Sequence, residues 1–72
     1  MKQPTLTNVK SSNVDAIGWK EGSLYVRFKS GGTYRYVDVP EAVYHQGLGA
    51  ESPGKWFRNS ISGTYIHKKH DA

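Results

Sequence analysis

From Leu24 to Lys29 apolar and polar side chains alternate without a break, and the stretch is bounded by Glu21-Gly22 before it and Gly31-Gly32 after it. A strict period of two places successive side chains on opposite faces of a strand with one covered side. Glycine at each end supplies the positive φ angles that tight hairpin turns require. Upstream, Ile17 and Trp19 alternate with Ala16 and Gly18; downstream, Thr33-Tyr34-Arg35-Tyr36-Val37-Asp38-Val39 reads as a further strand. The sequence therefore predicts an antiparallel meander over Val14 to Trp19, Leu24 to Lys29 and Thr33 to Val39.

Two-residue turns at both corners would fix the register. Trp19 then faces Leu24, Ile17 faces Val26, Val26 faces Val37 and Leu24 faces Val39. One side of the sheet becomes an apolar core face of Ile17, Trp19, Leu24, Val26, Phe28, Val37 and Val39, with Arg35 at its rim. The other side carries Tyr25, Arg27, Lys29, Tyr34 and Tyr36, aromatics interleaved with cations, opposite the small residues Ala16 and Gly18.

After the meander, Pro40 stands where a first helical residue belongs, and Ala42, Val43, Tyr44 and Leu48 form a short helical stripe ending near Gly47 or Gly49. A second helix is signalled by Ser52 as N-cap and Pro53 at the first position, with Trp56, Phe57 and Ile61 on one face before Gly63. Thr64-Tyr65-Ile66-His67 suits a closing edge strand. The expected order is β-β-β-α-α-β, an α+β domain over residues 9–67, with an N-terminal tail at 1–8 and a basic C-terminal tail at 68–72.

At 72 residues without cysteine, the chain has neither a disulfide framework nor a Cys/His zinc cluster to reinforce a thin core. Two Trp, two Phe and five Tyr are a heavy aromatic load, so a homo-oligomer is expected. The polar start and the lack of a long apolar run lead to the expectation of a cytoplasmic protein without a signal sequence or membrane span. Ten Lys/Arg against six Asp/Glu give a net charge of +4, a bias toward phosphate-bearing partners that a solubilising surface would equally produce.

Ser11-Ser12, the central Thr33-Tyr34-Arg35-Tyr36, Val39-Pro40, and Ser52-Pro53-Gly54-Lys55-Trp56-Phe57 through Ile61 occur in an order that resembles the KTSC domain family. The resemblance runs from about Val9 to about His67. The family is found at the C-terminus of some lysyl-tRNA synthetases, and as free-standing proteins in bacteria and phages. The resemblance implies this α+β fold, and two roles: an RNA-binding module, or a small sponge that sequesters cyclic nucleotide immune signals, in the host cytoplasm if phage-encoded. Trp56 stands where the family usually has Tyr or Phe, and Ser60 where a basic or polar residue is common.

Tyr34 and Tyr36, two apart on a strand, would project from one face beside Arg27 and Lys29 and could stack on bases. The same rings suit packing under a helix or at a subunit interface. Ser52, Gly54 and Lys55 at a helix start suit a phosphate, with Arg58 and Asn59 a turn away and Trp56 as a further stacking ring; an ordinary capped helix explains the same residues. Ser12, in the Ser11-Ser12 pair, offers a hydroxyl to a ligand or to a turn. The six acids are scattered, no motif links any of them to His45, and His67 and His70 lack further ligands at metal-site spacing. The sequence thus points to a non-catalytic binder of a nucleotide-type anion without metal or cofactor, most specifically an oligomeric cyclic-dinucleotide sponge. An RNA-binding module and a structural or protein-interaction domain are the alternatives.

Overall fold

A computed structural model describes residues 5–70. They form a five-stranded antiparallel sheet whose spatial order follows the chain: β1 (Thr7–Asn8), β2 (Val14–Lys20), β3 (Ser23–Phe28), β4 (Thr33–Tyr36) and β5 (His67–His70). Between β4 and β5 come α1 (Glu41–Leu48) and α2 (Pro53–Trp56), and α2 continues directly into a π-helical turn, Phe57–Ile61. The α+β class and the meander-helix-helix-strand order agree with the sequence, with β1 as an addition. It lies in the segment read as N-terminal tail, two residues with no pattern of their own, tied down by Val9 N–H and Asn8 Nδ2 donating to the Asp15 carbonyl. Residues 1–4 and 71–72 of the two tails lie outside the described residues.

The first hairpin turns as expected. Glu21 and Gly22 both take left-handed backbone (φ 51° and 83°), a type I′ turn, so Trp19 opposes Leu24 and Ile17 opposes Val26. At Asp15 the pairing slips by one residue, and this bulge keeps both Val14 and Ile17 in the core.

The second hairpin differs from the expected two-residue Gly31-Gly32 turn. Phe28 N–H donates to the Gly32 carbonyl (3.1 Å) and Gly31 N–H to the Phe28 carbonyl (3.0 Å), so the loop is Lys29-Ser30-Gly31 with Gly31 at φ 99°. A type I turn closed by a glycine bulge moves the register by three residues: Val26 opposes Tyr34, not Val37, and Leu24 opposes Tyr36, not Val39. Because side chains alternate, an odd shift exchanges faces. Tyr34 and Tyr36 therefore share the core side with Leu24 and Val26, while Arg35 stands outside beside Tyr25. β4 also ends three residues early. Asp38 adopts left-handed backbone (φ 57°), which returns Val39 to the core, where its carbonyl accepts Trp19 Nε1–H at 2.8 Å.

The helices cover the core side. Pro40 caps α1 instead of opening it, and Val43, Tyr44 and Gly47 turn inward, whereas Ala42 and Leu48, read as part of the stripe, are exposed. Ser52 and Pro53 occupy the N-cap and first position as expected. The closing strand starts later than Thr64, because Ser62, Thr64 and Tyr65 N–H groups first turn back onto the Phe57 and Ile61 carbonyls. Lys68 to His70, read as tail, are consequently part of the sheet.

Candidate functional site

Three remote segments meet at a surface groove of about 400 Å³. Ser12 and Asn13 come from the loop before β2, Phe28, Lys29 and Ser30 from the end of β3 and its hairpin, and Gly54, Phe57, Arg58 and Ser62 from the helical segment. Hydrogen bonds hold the first two together. Ser11 Oγ accepts the Asn13 and Val14 N–H groups at 3.2 Å each, a local serine turn, and Lys29 N–H donates to the Asn13 carbonyl at 2.8 Å. The helical segment docks closely on that loop, since a Cβ at Gly54 would stand 3.0 Å from Ser11 Oγ.

Gly54, Arg58 and Ser62 follow at intervals of four and line one wall of the groove. The first interval runs along α2, and the second along the π turn, where Ser62 N–H donates to the Phe57 carbonyl at 2.8 Å. Such π turns recur at functional sites, because the widened turn re-aims the side chains that follow it.

The floor is aromatic. Phe28 and Phe57 meet edge to face with centroids 5.2 Å apart. Each is braced from behind, Phe28 by Tyr34 at 5.8 Å and Phe57 by Tyr36 at 5.6 Å, and His67 lies against both tyrosines. Burial first, and then the neighbouring Tyr34, raises the Tyr36 hydroxyl above the ordinary tyrosine pKa. Two cations, Lys29 and Arg58, both exposed, line the groove beside this floor, and among the described residues no carboxylate, imidazole or thiol lines it. The arrangement offers charge-assisted hydrogen bonds to an anion and an apolar phenyl surface to an attached ring.

Of the ligand-binding residues expected from the sequence, the structure gathers Ser12, Gly54 and Arg58 into this groove, together with Lys29, expected as a cation beside the tyrosines. Arg27 is on the opposite side of the sheet from Tyr34 and Tyr36, donating from Nε to Asp15 Oδ2 at 2.8 Å, so the expected open face shared by these three residues does not form. Tyr36 is only 5% exposed, and Tyr34 is half-buried. Trp56 is buried against Gly47, with its indole Nε1 lacking a partner. Ser52 Oγ accepts Lys55 N–H at 3.4 Å, and Lys55 and Asn59 point into solvent away from the groove lining. Sequence reasoning missed Phe28 and Phe57 as a floor, and Asn13, Ser30 and Ser62 as liners; the four-residue spacing of Gly54, Arg58 and Ser62 was the available signal. Among the described residues no group of three His, Asp or Glu is placed to hold a metal ion, and no helix is long and apolar enough to cross a membrane.

Comparison with known proteins places these features in a wider set. The KTSC domain family model matches residues 10–65. A protein of Tsukamurella paurometabola is 44% identical over 55 residues, covering 74% of this chain and 81% of its own. The crystal structure of a KTSC domain protein from Yersinia pestis superposes with a TM-score of 0.89 at 30% identity, covering 96% of this chain and 100% of that one.

Proposed function

The chain belongs to the KTSC domain family, and from its groove we propose that it is a non-catalytic binding module for a nucleotide-type anion. One observation carries this reading: Lys29 and Arg58 line the same groove of about 400 Å³ as the Phe28–Phe57 pair, with no acid among the described lining residues. An arginine fork and a lysine suit phosphate oxygens, and a phenyl surface suits a base. Ser12, Ser30 and Ser62 supply hydroxyls, but none has a base beside it in the lining to make it a nucleophile, which favours holding a ligand over transforming it. A protein that only holds a nucleotide acts by lowering its free concentration, so sequestration of a nucleotide signal is the role we propose. We also propose a homo-oligomer, for which sedimentation at micromolar concentration should show a species heavier than 8.1 kDa, and a lone monomer would refute it.

One observation favours a second reading, an RNA-binding module. On the outer face Arg35 stands directly opposite Lys68. Like charges so placed weaken a sheet unless an anion neutralises them.

Calorimetric titration with nucleoside phosphates, cyclic dinucleotides and single-stranded RNA at two salt concentrations separates the readings. Groove binding predicts a shallow salt dependence, loss of affinity in Arg58→Ala and Lys29→Ala, and none in Arg35→Ala. A polymer on the outer face releases several counterions, so steeply salt-dependent RNA affinity that Arg35→Ala abolishes and Arg58→Ala spares would overturn the groove reading.

A further inference from the structure

Resting on the nucleotide reading, we infer that the groove is built for a phosphomonoester, the terminal phosphate of a single nucleotide, in preference to the phosphodiester of a cyclic nucleotide or an RNA interior. The charge count is the first argument. Lys29 reaches the groove from the hairpin loop and Arg58 from the helical wall, and no acid among the described lining residues offsets them. A phosphomonoester carries about −1.5 to −2 at neutral pH and three free oxygens, enough for an arginine fork and a lysine together. A diester offers one charge and two free oxygens, and needs two covalent exits.

Size and shape are the second argument. A volume of about 400 Å³ lies near the lower end of the roughly 300–1,000 Å³ typical of ligand sites. Phe28 and Phe57 meet at an interplanar angle of 80°, so they form no parallel slot for a second base. One base over the floor, one phosphate between the cations and a sugar against the Ser12–Asn13 loop fill the groove.

The test compares ligands that share a base and differ only in the phosphate: adenosine, its 5′-monophosphate and its 3′,5′-cyclic monophosphate, with the guanosine set in parallel. Each is titrated calorimetrically from pH 5 to pH 8 against the wild-type chain and Arg58→Ala. Among the described residues no histidine or carboxylate lines the groove, and His67 behind the floor acts on all three ligands of a set alike, so a pH dependence of the difference between monoester and cyclic ester belongs to the phosphate. The expected result is a 5′-monophosphate bound about tenfold tighter than the cyclic ester at pH 7.5. That advantage should shrink as pH falls through about 6, where the monoester dianion takes up a proton and becomes a monoanion like the cyclic ester. Arg58→Ala should largely erase it, and since Arg58 is exposed the variant should melt like wild type. Equal or tighter binding of the cyclic ester, or an advantage unchanged at pH 5, overturns the monoester inference while leaving the nucleotide reading in place. No binding of any nucleotide, cyclic dinucleotide or RNA overturns both.

Discussion

Gly47→Ala provides a sharp test of the packing, because helix propensity and core geometry predict opposite signs. Gly47 lies inside α1, where alanine is favoured over glycine by up to about 1 kcal/mol. A Cβ built there, however, would sit 2.5 Å from Cζ2, 2.6 Å from Cη2 and 2.7 Å from Cε2 of Trp56. Carbon atoms pack best at about 3.5–4.0 Å, so α1 or the indole must retreat by about 1 Å. The indole is held in the core at 8% exposure, and overpacking of this kind costs about 1–3 kcal/mol. Contacts as short as 2.5–2.7 Å put the cost at the upper end of that range, about 2–3 kcal/mol, so the clash outweighs the propensity gain and leaves a net loss of about 1–2 kcal/mol, or about 5–15 °C in Tm for a domain of this size. Thermal unfolding by circular dichroism measures it. The two nearest of the clashing atoms, Cζ2 and Cη2, belong to the outer ring of the indole and have no counterpart in phenylalanine, so a cycle with Trp56→Phe should show a much smaller alanine penalty in the phenylalanine background. A Gly47→Ala variant as stable as wild type, or an equal penalty in both backgrounds, would refute the reasoning.

Val26→Asp should unfold the domain, because it buries a carboxylate opposite Ile17 and Tyr34, whereas Arg27→Ala removes only an exposed pair with Asp15 and should cost at most about 1 kcal/mol; similar melting temperatures for the two would show the sheet faces to be misassigned. With the Tyr36 pKa raised by folding, the native state holds its proton more tightly than the unfolded chain, so stability is undiminished below about pH 10 and falls as pH rises from there through the folded value. Denaturant titrations from pH 8 to pH 11.5 should show this loss in wild type and a smaller one in Tyr36→Phe; identical slopes would exclude Tyr36 as the source.

Legibility of the fold divides at the second hairpin. The period-two pattern and Glu21-Gly22 determine the first hairpin locally, because a two-residue turn with both φ angles positive admits one register. Gly31-Gly32 looks like the same signal, yet a glycine pair suits a two-residue turn and a glycine bulge alike, and the choice rests on which face of β4 the helices need. Tyr34 and Tyr36 bring more apolar surface to the core than Arg35 and Val37 would, and this burial selects the three-residue loop. Asp15 and Asp38 were equally illegible, one as a bulge and one in left-handed backbone, since both deviations serve neighbours, Val14 and Val39, and not themselves.

That register choice also builds the groove. With Tyr34 and Tyr36 outside, the sheet would present an open aromatic face and the helices would lack their ring contacts. With them inside, Tyr34 braces Phe28 and Tyr36 braces Phe57, and the two phenylalanines become a fixed floor at the core's edge. The same three-residue loop carries Lys29 to the groove rim, and its N–H anchors that rim to Asn13. A chain of 72 residues cannot enclose a deep cavity, but it can preorganise a shallow one when a single turn sets core packing, floor and cation together. On the proposed reading, binding needs no rearrangement of the backbone, and affinity depends chiefly on the two exposed cations that line the groove, Lys29 and Arg58.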